Sequence, residues 1–351
     1  MAIDSMVRRL RLERRWSQRE LAERSGVSRA EVSAVENSRV SPSIAAGLLL
    51  ARALGRTVEE VFGSGAGEES KAEWAFPPRS ASGRYWEASV GGRRLLFPVE
   101  PIALGVVPHD GTHHSGIPDR KLSPQTQETV VIAGCDPAVG LLASELRREG
   151  LRVLPLTRSS RDALSLLERG LVHAAGVHWF LGRGRDANAA EVSKALGSGY
   201  TLLHLARWQE GIALRPSLRA TSTSVLARSR IRWVAREEGS GARRCLDRLL
   251  GPARAGKPFR HVASDHRGVA QAVAGGWADA GVAVRLAAEE AGLGFLPVQQ
   301  EDYELCVPDR WRSDRAIVAL ERALRSRDVR TLYDELPGYD TRRMGEERAV
   351  G

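Results

Sequence analysis

A serine between two glycines opens a strongly helical run at Glu238-Gly239-Ser240-Gly241-Ala242-Arg243-Arg244-Cys245-Leu246-Asp247. The first N–H groups of a helix lack intrahelical partners and sit at the positive end of its dipole, so such a start can bind an anion. Ser159-Ser160, ahead of Arg161-Asp162-Ala163-Leu164, repeats the arrangement. Serine hydroxyls add donors there without adding charge. His178 ends an apolar run and is read either as a ligand-contacting donor or as a satisfied structural histidine. Asp265-His266 is the one pair suggestive of acid–base work. His109-Asp110-Gly111-Thr112-His113-His114 gathers three imidazoles and a carboxylate, but its spacing matches no zinc pattern, and no metal is expected. The chain has no GxSxG, Walker-type loop, HExxH or complete dinucleotide fingerprint, so catalysis has no visible carrier and the chain is read as a non-enzyme.

A second kind of chemistry lies near the start. Ser17 with Glu20 three residues later forms a capping-box pattern, Gly26 breaks the helix, and Ser28 with Glu31 starts the next. Leu21, Val27, Val32 and Val35 face inward, Ala22 lets the helices approach, and Gly26 supplies a tight turn. A helix from Met6 precedes this pair; Pro42 opens a fourth helix carrying Ile44, Leu48, Leu49 and Leu54, and Thr57 caps a short fifth through Phe62. Over residues 6–62 the chain resembles the Cro and phage-repressor-like (XRE-type) helix-turn-helix family, on the Ser17-Gln18 start, Leu21-Ala22, Gly26-Val27-Ser28 and Ser41-Pro42-Ser43. The resemblance implies that Gln18 and Ser28 hold phosphates while Arg29, Ala30, Ser33 and Ala34 face base edges, with Arg19 and Asn37 also at the interface. Arg29 alone among the base-facing four can make a bidentate guanine contact.

Composition sets the frame for these motifs. The 351 residues are 42% hydrophobic, enough for several cored domains. Of 52 basic residues only four are lysine, and the formal charge of +9 is spread along the chain, so basicity alone does not indicate nucleic acid. Cys135, Cys245 and Cys306 are far apart and make neither a disulfide framework nor a zinc knuckle. Five arginines between positions 8 and 15 interrupt any signal-type apolar run, and no stretch approaches the ~20 apolar residues of a membrane span, so the expected location is cytoplasmic, without membrane association.

Residues 64–84 read as a linker, and 85–128 as a β-hairpin turning at Gly91-Gly92 followed by a polar connector. From Thr129 strands alternate with helices: strands at 130–133, 152–156, 172–177, 201–205, 231–235, 279–284 and 294–298, helices near 138–149, 160–169, 241–250 and 267–275. Such alternation predicts parallel sheets covered by helices.

Residues 129–345 resemble the periplasmic-binding-protein-like domain related to molybdate-binding proteins, on Ala133-Gly134-Cys135-Asp136-Pro137-Ala138, Ala174-Ala175-Gly176-Val177-His178-Trp179, Glu238–Arg243, Val273–Gly281 and Leu336-Pro337-Gly338-Tyr339-Asp340. The expected fold class is therefore multidomain: an all-α helix-turn-helix bundle over 1–63, a small β extension, and a two-lobed α/β type II periplasmic-binding-protein-like domain. The resemblance implies a cleft bordered by Asp136, Ser159, Ser160, His178, Ser240, Gly241, Asp265 and His266. Where that family has Thr-His, this chain reads Ser264-Asp265-His266-Arg267-Gly268-Val269-Ala270, and Asp265 would repel a dianion unless Arg267 or His266 offsets it. The expectation is a one-component regulator that binds operator DNA as a homodimer and senses a molybdate- or tungstate-type oxyanion or a small carboxylated metabolite, with no other cofactor. The alternative is a ligand-free assembly module or an uncharacterised enzyme tethered to DNA.

Overall fold

A computed structural model describes residues 6–37, 40, 42–58, 61, 72–100, 108–121, 128–180, 187–218, 222–252 and 258–351. They fall into two units, Met1–Lys71 and Ala72–Gly351.

The first unit contains α1 (Met6–Glu13), α2 (Gln18–Ser25), α3 (Arg29–Glu36) and α4 (Ile44–Ala53). Ser17 accepts from the Glu20 N–H while its own N–H donates to the Glu20 carboxylate, which completes the capping box. Gly26 ends α2 at φ 74°, a left-handed conformation that a side chain would strain. Ser28 and Ser43 cap α3 and α4, and Pro42 precedes the Ser43 cap rather than opening the first turn. Leu21, Val32, Leu50 and Leu54 form a core, under which Arg11 donates to both oxygens of Glu36 at 2.6 and 2.9 Å. The expected fifth helix includes residues 59, 60 and 62, which lie outside the described residues.

The second unit begins with a five-stranded sheet of β1 (Glu73–Trp74), β2 (Ser82–Val90), β3 (Arg93–Pro98), β4 (Gly111–His114) and β5 (Ile117–Lys121), ordered β1-β3-β2-β4-β5. The Gly91-Gly92 hairpin turn is present, with φ 57° and 81°. Residues 72–84, expected to be linker, are ordered: Trp74 pairs into the sheet and donates to the Gly116 carbonyl. The expected polar connector contains the β4–β5 hairpin, whose apolar content is too low to mark it in sequence. Trp86, Leu95 and Phe97 share one core with Val131, Leu154 and Ala163 of the domain that follows, so the extension is part of its first lobe.

That domain is a ten-stranded mixed sheet whose path runs β11-β10-β12-β9-β13-β8-β6-β7, with β14 and β15 also on β9. Lobe one uses β6 (Thr129–Gly134), β7 (Arg152–Thr157) and β8 (Ala174–Val177); lobe two uses β10 (Trp233–Arg236), β11 (His261–Ala263) and β12 (Ala280–Val284). β9 (Tyr200–Leu214) and β13 (Gly294–Pro308) pair antiparallel from Pro308↔Tyr200 to Gly294↔Leu214 and belong to both lobes. Each lobe thus reads second, first and third strand, then the strand returning from the other lobe, which is the expected type II two-lobed arrangement. The strands expected at 201–205 and 294–298 run on to Leu214 and Pro308, through the polar runs Arg207-Trp208-Gln209-Glu210 and Gln299-Gln300-Glu301-Asp302. These polar runs satisfy each other across the ladder: Arg207 pairs Asp302 at 2.8 Å, and Gln299 donates to Glu210 at 2.7 Å.

The covering helices are α5 (Val139–Arg148), α6 (Ser160–Glu168), α7 (Ala187–Leu196), α8 (Thr223–Arg228), α9 (Gly241–Leu250), α10 (His266–Ala274), α11 (Arg285–Glu290), α12 (Arg315–Arg325) and α13 (Arg327–Asp334), and β14 (Tyr339–Asp340) and β15 (Glu347–Val350) follow them. Among the described residues no helix is long and apolar enough to cross a membrane.

Candidate functional site

In the helical unit, α3 exposes Ser28, Arg29 and Ala30 and leaves Ser33 and Ala34 half-buried, so the residues expected to read bases share the open side of one helix. Gln18 also has an internal duty, since its amide donates to Glu36 at 2.9 Å and links α2 to the buried Arg11–Glu36 pair. Arg19 pairs with Glu23 on the surface, and the Asn37 amide donates to the Ser33 carbonyl and so finishes α3.

Between the lobes of the second unit the strand ends and helix starts converge on a sealed polar cluster. His178, at the end of β8, directs Nδ1 to Glu301 Oε2 at 2.5 Å and Nε2 to Cys135 Sγ at 3.2 Å. His266, the first residue of α10 in lobe two, brings Nε2 to the same sulfur at 3.8 Å. Trp208 packs its ring against His178, His266 and Tyr303. Cys135 is 5% exposed; His178, His266 and Glu210 are fully buried.

Burial opposes charge on His178, but the Cys135 sulfur and the Glu301 carboxylate together raise its pKa well above the usual histidine range. Burial would raise Glu301, yet His178 holds it low; burial and the neighbouring Glu301 push Glu210 well up. Burial, then Arg236 and His178, hold His266 neutral by lowering its pKa. The cluster is therefore one imidazolium–carboxylate pair beside a neutral acid and a neutral imidazole. Arg236 is buried at the end of β10 and donates to Glu237 at 2.8 and 2.9 Å. Among the described residues, Arg236 Nη1, Trp208 Nε1 and His266 Nδ1 have no hydrogen-bond partner. Beside the helix starts a cavity of about 340 Å³ is lined by Arg161, Trp179, Glu191 and Lys194 of lobe one and Arg244 of lobe two.

Of the residues expected at the cleft, Ser160, His178, Gly241 and His266 meet here. The Ser160 hydroxyl accepts the His178 N–H at 3.2 Å, and a Cβ on Gly241 would stand 2.9 Å from the His178 ring. Ser159 and Ser240 cap α6 and α9 through their hydroxyls, which leaves the first helical N–H groups, not those hydroxyls, for a ligand. Asp265 likewise caps α10 by accepting from Gly268 at 2.6 Å and forms no acid–base pair with His266. Asp136 accepts from Tyr333 at 3.1 Å and Tyr339 at 2.8 Å, and this holds the C-terminal segment to lobe one. The residue before it, Cys135, is the one that enters the cluster.

Cys135, Glu210, Glu301, Trp208 and Arg236 were not found by sequence reading. The signal for Trp208, Glu210 and Glu301 was the density of polar and aromatic residues in what are two long strands; Cys135, after β6, and Arg236, at the end of β10, had none. The histidine-rich loop disperses: His113 packs on Trp74, His114 bonds Ser82, and Asp110 accepts from Arg152 and the Glu87 N–H.

Comparison with known proteins matches residues 143–325 to the PBP superfamily domain and residues 7–61 to a helix-turn-helix domain. The uncharacterized Bacillus subtilis (strain 168) protein YvgK is 26% identical over 237 residues, 65% of this chain and 76% of that protein. An uncharacterized HTH-type transcriptional regulator of Methanothermobacter thermautotrophicus is 44% identical over 59 residues, 16% of this chain and 86% of that protein. Among solved structures, a putative phosphate ABC transporter substrate-binding protein with bound phosphate from Clostridium perfringens aligns at TM-score 0.47 and 10% identity, over 59% of this chain and 97% of that one. An ABC-type phosphate transport receptor from Vibrio cholerae aligns at TM-score 0.42 and 15% identity, over 60% and 99%.

Proposed function

Given that the chain belongs to the PBP superfamily and carries a helix-turn-helix domain, we propose that it is a cytoplasmic one-component transcription regulator without enzymatic activity. It binds operator DNA as a homodimer through α3 and responds to a small anion held between the lobes. A two-fold operator fixes the separation of the paired recognition helices, so a ligand that alters lobe closure alters DNA affinity.

The observation that carries the anion reading is the set of unpartnered donors around the two apposed helix starts: Arg236 Nη1, Trp208 Nε1 and His266 Nδ1, all buried, with Gly241 against His178. An unpaired buried donor costs about 1–3 kcal/mol, and an acceptor-rich ligand recovers it. An oxyanion of the molybdate or tungstate type, or a small carboxylate, has that character.

The test is thermal unfolding of the full chain with molybdate, tungstate, sulfate, phosphate and a panel of small carboxylates, followed by operator binding with any stabilising anion. Selective stabilisation that disappears in Ser240→Asp, where a like charge stands at the α9 start, supports the reading. Stabilisation by none of the anions sinks it.

A further inference from the structure

We infer that Cys135, His178 and His266 form a site for a thiophilic divalent cation of the zinc class, built from both lobes. The inference does not depend on the anion reading.

Distance is the first argument. A tetrahedral ion with a metal–sulfur bond of about 2.3 Å and metal–nitrogen bonds of about 2.0 Å separates sulfur from nitrogen by about 3.5 Å. Cys135 Sγ lies 3.2 Å from His178 Nε2 and 3.8 Å from His266 Nε2, one on each side of that value. The three ligand atoms lie within 4.8 Å of one another. Without an ion, His178 Nε2–H can donate to the sulfur and the thiol to His266 Nε2, so the same three atoms are already gathered where an ion would sit. Two imidazoles converging on one sulfur is the arrangement a shared cation would produce.

Orientation is the second. Glu301 holds His178 through Nδ1, and Gln299 holds the other Glu301 oxygen at 2.6 Å, so the ring presents Nε2 to the sulfur. A carboxylate behind the imidazole is the outer-shell partner that metal-ligating histidines use.

Softness and geometry select the metal. One thiolate and two imidazoles suit zinc rather than magnesium or calcium, which take oxygen ligands. Three protein ligands also leave a fourth position for water or an exogenous ligand. Cys135 and His178 belong to lobe one and His266 to lobe two, so the ion would clasp the lobes together.

The test uses the reduced, metal-free full chain titrated with Co²⁺ as spectroscopic probe. The expected result is a sulfur-to-cobalt charge-transfer band with visible absorption of tetrahedral cobalt, saturating at one ion per chain and displaced by Zn²⁺. Cys135→Ser should abolish the charge-transfer band, and Glu301→Gln should weaken cobalt binding about 10–100-fold. If Cys135→Ser lacks the native near-ultraviolet circular dichroism, His266→Gln, which keeps the thiol, is read instead and should weaken cobalt binding by at least tenfold. Absence of the band in the wild type, or its persistence in folded Cys135→Ser, overturns the site. A band without any zinc effect on operator binding upholds the site and separates it from the regulatory reading.

Discussion

Gly241, at the start of α9 in lobe two, lies so close to His178 of lobe one that a Cβ would stand 2.9 Å from the imidazole and 3.0 Å from the His178 carbonyl oxygen. The lobes therefore meet at a position that admits no side chain. The contact is also where the helix start, the imidazole and the Ser160 hydroxyl come together.

Gly241→Ala should leave each lobe folded and hold the lobes apart. The His178 carbonyl is backbone and cannot swing away as a flexible side chain would, so closure costs about 1–3 kcal/mol more. Small-angle scattering of the full chain should show a larger radius of gyration for the variant. An unchanged radius and melting temperature would mean that this contact does not limit closure.

Gly176 and Tyr303 make a second close approach, within lobe one. A Cβ at Gly176 would overlap the Tyr303 hydroxyl and stand 2.5 Å from Cζ of the ring. Gly176→Ala should lower stability by about 1–3 kcal/mol, read as a fall of several degrees in the melting temperature. Gly176→Ala/Tyr303→Phe should recover part of the loss by removing the overlapping oxygen. Equal melting temperatures for wild type and Gly176→Ala would contradict the packing.

His173 should make the protein acid-sensitive. Its Nδ1 accepts the Val131 N–H at 3.0 Å, which a protonated ring cannot do, and burial lowers its pKa to about 4 despite Asp314 and the Ser89 backbone. Between about pH 6.5 and 4 the unfolded chain binds a proton that the folded chain refuses. The stability tied to this neutral ring is thus full above pH 6.5 and is lost as the pH falls toward 4, on the order of 3 kcal/mol. Chemical denaturation should show a shallower pH dependence for His173→Gln, whose amide oxygen can still accept from Val131. Parallel pH profiles would assign the acid sensitivity to other groups.

Arg29 is exposed on α3 and, among the described residues, makes no side-chain hydrogen bond of the kind that occupies Gln18 and Asn37. Arg29→Ala should cost ~1–3 kcal/mol on operator DNA, measured by fluorescence anisotropy against random DNA of equal length. An equal loss on both duplexes would reduce Arg29 to a phosphate contact.

Local signals in the sequence carried the helical unit almost entirely. Ser17, Glu20, Gly26 and Ser28 act within a few residues of themselves, through caps and a left-handed turn, so their pattern is readable without tertiary structure. The same holds for the α6 and α9 starts at Ser159 and Ser240 and for the Gly91-Gly92 turn.

The sequence by itself thus determined the helix-turn-helix, the alternation of strands and helices, and the serines that cap α6 and α9. Only the tertiary structure decided the chemistry of that cleft. Cys135, His178, His266 and Glu301 are separated by as many as 166 residues, the span from Cys135 to Glu301, and only the sheet order and the shared β9–β13 ladder bring them together. Glu210 and Glu301 lie beyond the expected strands; a carboxylate is stable inside a sheet only when protonated or paired, and their partners Gln299 and His178 lie on or at the end of other strands.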